Sequence, residues 1–144
     1  MSDDRGEIVY AEEPELSAED FLGLAQAVWP GDYSADGARR ALLSTINLTA
    51  RSNGELVGCV RVLTDGYFFG TIPEVMVRPD CRGRGVGRRL MELAWDRSPT
   101  GLFLGSQPGN EPFFEKLGFE RSMQSFARRK LRPPSPAADG EGGA

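Results

Sequence analysis

From Arg82 to Arg88 the chain reads Arg-Gly-Arg-Gly-Val-Gly-Arg, with glycine at every second position, 83, 85 and 87. Glycine lets a backbone N–H approach a ligand with no Cβ in the way, and arginine makes charge-assisted bonds to phosphate oxygens. An apolar run precedes the stretch and a helical pattern follows it, so the glycines open a helix. Free N–H groups and the dipole at a helix start both favour an anion. Together these features describe a site for a phosphorylated ligand. The competing reading is an ordinary glycine-rich turn ahead of a solvated basic helix. Just upstream, Glu74 is the only ionisable side chain in the run Thr71–Val77, TIPEVMV. A partly buried carboxylate there suits general base chemistry. The alternative is a structural carboxylate tied to neighbouring backbone or an arginine.

Other chemistries are excluded by what the chain lacks. It has no histidine, which removes Ser–His–Asp catalysis and His-rich metal sites. Its two cysteines, Cys59 and Cys81, are too few for a disulfide framework or a zinc site, so no metal is expected. Cys59 sits in an apolar strand pattern and reads as core. Cys81 precedes Arg82 near a helix start, a setting that favours a reactive thiol, but no histidine can serve it as base. Two familiar phosphate loops are also set aside. The glycine spacing is G-x-G-x-G rather than the G-x-G-x-x-G of dinucleotide folds, and no G-x-x-x-x-G-K-[ST] occurs.

The chain has 144 residues and a net charge of −4, with 40% hydrophobic and 26% charged residues. That composition predicts one globular domain with a real core. The charge is uneven, with eight acids and one arginine in residues 1–20 but five arginines and one aspartate in residues 78–89. Overall acidity argues against a nucleic-acid partner, and a local basic patch fits a compact phosphate site. No apolar run reaches the length of a membrane span, and the acidic start lacks a signal-peptide pattern. The expectation is a soluble cytoplasmic protein with no membrane partner.

The elements that must position these residues follow from periodicity. Residues 7–11 read as a short strand. Ser17, with Asp20 three residues on, resembles a capping box, and Phe21, Leu24, Ala25 and Val28 follow at helical spacing. Ser34 caps a second helix through Ala38, Leu42 and Ile46. From Asn47 the period changes to two, and Asn53-Gly54 supplies a hairpin turn. Asp65-Gly66 makes another turn, and Tyr67 to Val77 is predicted as one strand. A helix starting near Gly85 is followed by a strand over 102–106, a right-handed parallel crossover. Residues 112–119 predict a short helix and Arg121 to Lys130 a last strand. Boundaries are expected at 1–6, a flexible N-terminus, 7–130, a single domain, and 131–144, a disordered tail.

Arg82-x-x-Gly85-x-Gly87 resembles the [QR]-x-x-G-x-[GA] pyrophosphate motif of GNAT-type N-acetyltransferases, small bacterial members among them. SNGELVGCVRV, IPEVMVRPDCRGRGVGRRLM and FFEKLGF resemble further segments of that family, and the likeness covers roughly residues 7–130. The resemblance implies a mixed α/β fold with a twisted, mostly antiparallel sheet. Its fourth and fifth strands, joined by a parallel crossover helix, splay apart to admit the cofactor's pantetheine arm. It implies acetyl-CoA as cosubstrate and transfer of the acetyl group to a small-molecule or peptide amine by direct attack in a ternary complex. By position, the backbone of Val75, Met76 and Val77 would pair with pantetheine, and an N–H near Met76 or Val77 would stabilise the oxyanion. Arg82, Gly83, Arg84, Gly85, Val86, Gly87 and Arg88 would hold the pyrophosphate, with Asn110 and Phe114 as further cofactor contacts. A homodimer is common in similar proteins.

The chain departs from the pattern at Phe114, where the family usually has a tyrosine that protonates the departing thiolate. Phenylalanine cannot donate that proton, which leaves Ser106 or a water for the role. It also leaves a second reading, a CoA-binding sensor with little catalysis. By strand alternation Glu74 lies with Ile72 and Met76, opposite Val75 and Val77, unless a bulge switches the parity. Trp29, Tyr33 and Tyr67, with Phe68 and Phe69, lie in segments that flank the acceptor groove in such folds. They allow an aromatic or apolar amine, and each reads equally well as a core or rim aromatic.

Overall fold

Two serines and one hairpin turn set the frame. The computed structural model of the chain describes residues 6–131. Ser17 accepts the N–H of Asp20 at 3.0 Å and starts α1, Ala18–Val28. Ser34 accepts the N–H of Gly37 at 3.0 Å and starts α2, Ala35–Leu43. Asn53 and Gly54 both take positive φ, which matches the twist of the strands they join. Those strands are β2, Ile46–Ser52, and β3, Glu55–Thr64, and β1, Ile8–Glu12, pairs with the outer edge of β2.

On its other edge β3 pairs antiparallel with two short strands, β4, Gly70–Thr71, and β5, Val75–Val77. The single strand predicted from Tyr67 to Val77 is therefore broken, and the register gives the reason. Leu63 faces Thr71 and Val60 faces Val75, so Arg61 and Val62 oppose Ile72, Pro73 and Glu74. One extra residue makes a bulge, at a proline that has no N–H for the ladder.

The sheet separates two cores. On one face α3, Val86–Arg97, lays Val86, Leu90, Met91 and Ala94 against Val57, Val60, Val62 and Ile72. On the other, α1 and α2 lay Leu24, Ala25 and Leu42 against Leu56, Cys59 and Met76. Being covered on both faces, β2 is buried nearly throughout rather than alternating as its sequence predicts. Gly58 is where α3 comes closest, since a Cβ there would lie 2.9 Å from Val86 Cγ1 and 3.1 Å from Leu90 Cδ1.

Later elements are shorter than predicted. The strand expected over 102–106 is reduced to one parallel bridge, Phe103 to Thr71. The helix expected over 112–119 is α4, Glu111–Glu115, with Gly118 at φ +92° in the turn that follows. No strand forms over 121–130, where Met123 and Phe126 stand exposed. The flexible N-terminus and disordered tail that the sequence predicts lie, apart from Gly6 and Leu131, outside the described residues.

Candidate acyl-transfer site

The site forms where β4 and β5 diverge from residues 102–106. Up to Ile72 the two segments are joined. The N–H of Ile72 donates to Phe103 O and the N–H of Phe103 to Gly70 O, both at 2.9 Å, and the Thr71 hydroxyl donates to Phe103 O at 2.9 Å. Beyond that point Val75, Met76 and Val77 pair with β3 alone among the described residues, so their other edge is open to an extended ligand. The splay that the resemblance implies is present.

The start of α3 closes one end of this opening. Gly85 is its N-cap at φ +78°, and no side chain caps the helix. Arg89 is the first residue to bond back, to Gly85 O at 3.0 Å. The N–H groups of Val86, Gly87 and Arg88 therefore have no acceptor within the helix. Gly83 also has positive φ, and a Cβ at Gly83 or Gly85 would meet nothing within 4 Å. This exposed backbone cradle fits a pyrophosphate. Gly87 stands against β5 and α4, its Cβ position 3.6 Å from Val77 Cγ2 and 3.7 Å from Phe113 Cζ. The loop before the helix is tied down by Arg78, which pairs with Asp80 at 2.7 Å and Glu55 at 3.1 Å.

The arginines of the motif are not equivalent. Arg82 and Arg88 are exposed at the cradle. Arg84 turns away, and its Nη2 donates to Gly6 O at 3.0 Å. Its contribution at the cradle is thus backbone, while its side chain anchors the start of β1.

Glu74 lies on the α1 side with Met76, whereas Ile72 belongs to the α3-side core, so the bulge separates Ile72 from the face it was expected to share. Both Glu74 oxygens accept from Arg61, Nη2 at 2.8 Å and Nε closer still, and the two side chains are only 16–17% exposed. These bonds, more than burial opposes, raise the Arg61 pKa above its ordinary value. The guanidinium also stands 5.6 Å from the ring centroid of Phe21. Sequence reasoning missed Arg61. Its signal was present, as the one charge in LVGCVRVL, one hairpin away from the one charge in TIPEVMV.

Phe114 packs against the α3-side core, edge-on to Phe113 at 5.1 Å and to Phe119 at 6.1 Å. Asn110 is the exposed N-cap of α4. Trp29 is half exposed at the end of α1, and its carbonyl accepts from the Tyr33 hydroxyl at 2.5 Å. Tyr33 packs on the α1-side core, and Tyr67 is 79% exposed on the β3–β4 turn. The structure does not bring these three aromatics into one cluster. Cys81 is fully buried, which removes it as a nucleophile, and burial pushes the Cys59 thiol up to about 12. No metal-binding cluster occurs among the described residues, and no helix there is long and apolar enough to cross a membrane.

The family model described as an acetyltransferase (GNAT) domain matches residues 44–121, more than half of the chain. The chain belongs to the GNAT acetyltransferase family. The match takes in β2 to α4, the elements that build the opening and the cradle. Among curated relatives, the chain is 32% identical over 103 residues to a glucosamine 6-phosphate N-acetyltransferase of Trypanosoma brucei brucei, covering 62% of this chain and 70% of that protein. It is 27% identical, over an alignment covering 83% of this chain and 56% of that one, to the chloroplastic GCN5-related N-acetyltransferase 2 of Arabidopsis thaliana. The matched stretch makes up 63% of a further relative from Gibberella zeae, so the chain spans between 56% and 70% of the length of these proteins. Among solved structures, a GNAT family acetyltransferase of Streptococcus pneumoniae matches with TM-score 0.71 at 22% identity, over 86% of this chain and all of that one. The aminoglycoside acetyltransferase AAC(6')-Iy, solved with a CoA-containing bisubstrate analogue, matches with TM-score 0.67 at 18% identity, over 88% of this chain and all of that one. These two structural likenesses show the GNAT fold.

Proposed function

We propose that this GNAT protein transfers the acetyl group of acetyl-CoA to a primary amine by direct attack in a ternary complex. One observation carries the reading. The open edge of Val75–Val77 runs into the uncapped, glycine-lined start of α3, so an extended thioester arm and its pyrophosphate have adjoining places. Arg82 and Arg88 supply charge to the phosphates, and Asn110 and Phe114 border the arm from the α4 side. An N–H near Met76 or Val77 supports the oxyanion as the amine nitrogen bonds to the acetyl carbon. The C–S bond then breaks, the second amine proton passes through water to the departing sulfur, and CoA leaves as the thiol. Glu74 takes the proton of the incoming ammonium. Arg61 occupies two of the roughly four lone-pair positions of the carboxylate, which leaves room for a water to relay that proton. Trp29, Tyr33 and Tyr67 are assigned to the rim of the acceptor groove.

Isothermal titration of the purified protein with acetyl-CoA, followed by thiol-release assays over a panel of amines, tests the proposal. Saturable binding and amine-dependent thiol release are expected. No binding at millimolar acetyl-CoA overturns it.

A further inference from the structure

Three apolar side chains stand open on the α1 side of the sheet, Leu63 at 44% exposure, Phe69 at 48% and Phe103 at 42%. Alternation along β3 puts Leu63 on the face of Cys59 and Arg61. Leu102 and Leu104 pack on the α3-side core, so Phe103 between them points the other way. Phe69 lies flat on Phe103, with ring centroids 5.4 Å apart and 13° between planes. The turn that carries Phe69 is built to be rigid. Asp65 Oδ1 accepts three N–H groups, from Tyr67, Phe68 and Phe69, at 3.0, 2.8 and 3.1 Å. The Thr64 hydroxyl then donates to Phe69 O at 2.6 Å.

The location gives this stack a purpose. Phe103 makes the last backbone bonds before β5 and residues 104–106 part, so the platform begins where the opening begins. Glu74, beyond the bulge, lies on the same α1 side as the platform, and Arg61 balances its charge. A near-neutral place with an apolar wall holds an acceptor by its apolar body and leaves only the amine for the carboxylate.

We infer that Phe69, Phe103 and Leu63 form a specificity platform that selects primary amines carried on a flat aromatic or apolar group over hydroxylated or polycationic amines. The inference rests on the acetyl transfer proposed above and names its acceptor class.

The test is thiol release by the full chain at saturating acetyl-CoA, comparing 2-phenylethylamine and benzylamine with ethanolamine and spermidine. The arylalkylamines are expected to show at least about tenfold higher kcat/KM, the usual worth of a ring stacked on aromatic side chains together with its burial. F69A/F103A should bring that ratio close to one with the acetyl-CoA Kd unchanged, and F69L/F103L should fall between. Both positions are exposed, so the variants are expected to fold. Equal or better use of ethanolamine or spermidine by the wild-type chain overturns the platform and leaves acetyl transfer standing. A preference that survives in F69A/F103A overturns it too. Acetyl-CoA binding without turnover of any amine defeats the acetyl-transfer reading, and the platform with it.

Discussion

Glu74 and Arg61 are the pair on which the proposed chemistry turns. Glu74→Gln keeps the shape and one acceptor oxygen but removes the base. It should lower kcat/KM by roughly 10² to 10⁴, the usual worth of a general base, with acetyl-CoA affinity nearly unchanged. Retention of most activity in a pH–rate comparison would assign the proton to another group, and loss of acetyl-CoA binding or of folding would make Glu74 structural. The arginines of the glycine loop should separate in the same way. Arg82→Ala removes an exposed charge at the cradle and should weaken acetyl-CoA by roughly tenfold, read by titration. Arg84→Ala should leave that affinity close to wild type and lower Tm instead, because its guanidinium is bonded to Gly6 O. Equal loss of affinity in both variants would place the Arg84 side chain on the phosphates. The motif's spacing was legible in the sequence because glycine and arginine each have a local reason to be there. The direction of the Arg84 side chain was not, since it depends on Gly6, two residues ahead of β1 and 78 residues away in sequence.

Among the elements, α3 is fixed less by its own sequence than by the flat spot that Gly58 leaves under it. A Cβ at residue 58 would press on Val86 Cγ1, a branched side chain that cannot swing aside. Gly58→Ala should therefore cost about 1–3 kcal/mol, as overpacking does, and shift the first turn of α3 away from β3. Urea unfolding should show the loss, and acetyl-CoA affinity should fall with it. Unchanged stability and affinity would mean that the helix start is not set by this contact. Caps, the Asn53-Gly54 turn and the periodicity of α1 to α3 were all readable in advance because they are local patterns. The break in the strand from Tyr67 to Val77 was not. Strand-forming residues stand on both sides of Pro73, and only the register against β3 shows the extra residue at Ile72–Glu74. Residues 102–106 fail for a related reason, since the ladder that would complete a strand is withheld where the site opens.

Across the whole molecule, the family match begins at residue 44, yet the sheet is also held by what precedes it. Glu13, just after β1, accepts from Arg51 Nε at 2.7 Å and Nη2 at 2.9 Å, and from the Thr49 hydroxyl at 2.6 Å. Arg51 reaches on to Asp20 of α1 at 3.0 Å and to Gly54 O of the hairpin at 2.9 Å. One cluster thus joins the exit of β1, the first turn of α1 and the β2–β3 turn. The Arg51 bonds outweigh burial and hold the Glu13 pKa below its ordinary 4.5. A carboxylate depressed on folding adds stability that is fully present above its unfolded pKa and is lost as pH falls through the folded one. The contribution should therefore be constant from neutral pH down to about 5 and disappear below the ordinary glutamate range. Glu13→Gln should cost about 1–3 kcal/mol at pH 7, a Tm drop of several degrees. The gap between variant and wild type should narrow steadily as thermal melts are taken from pH 5 toward pH 3. A gap that stays the same size over that range would show that Glu13 stabilises by shape and neutral hydrogen bonding rather than by its charge.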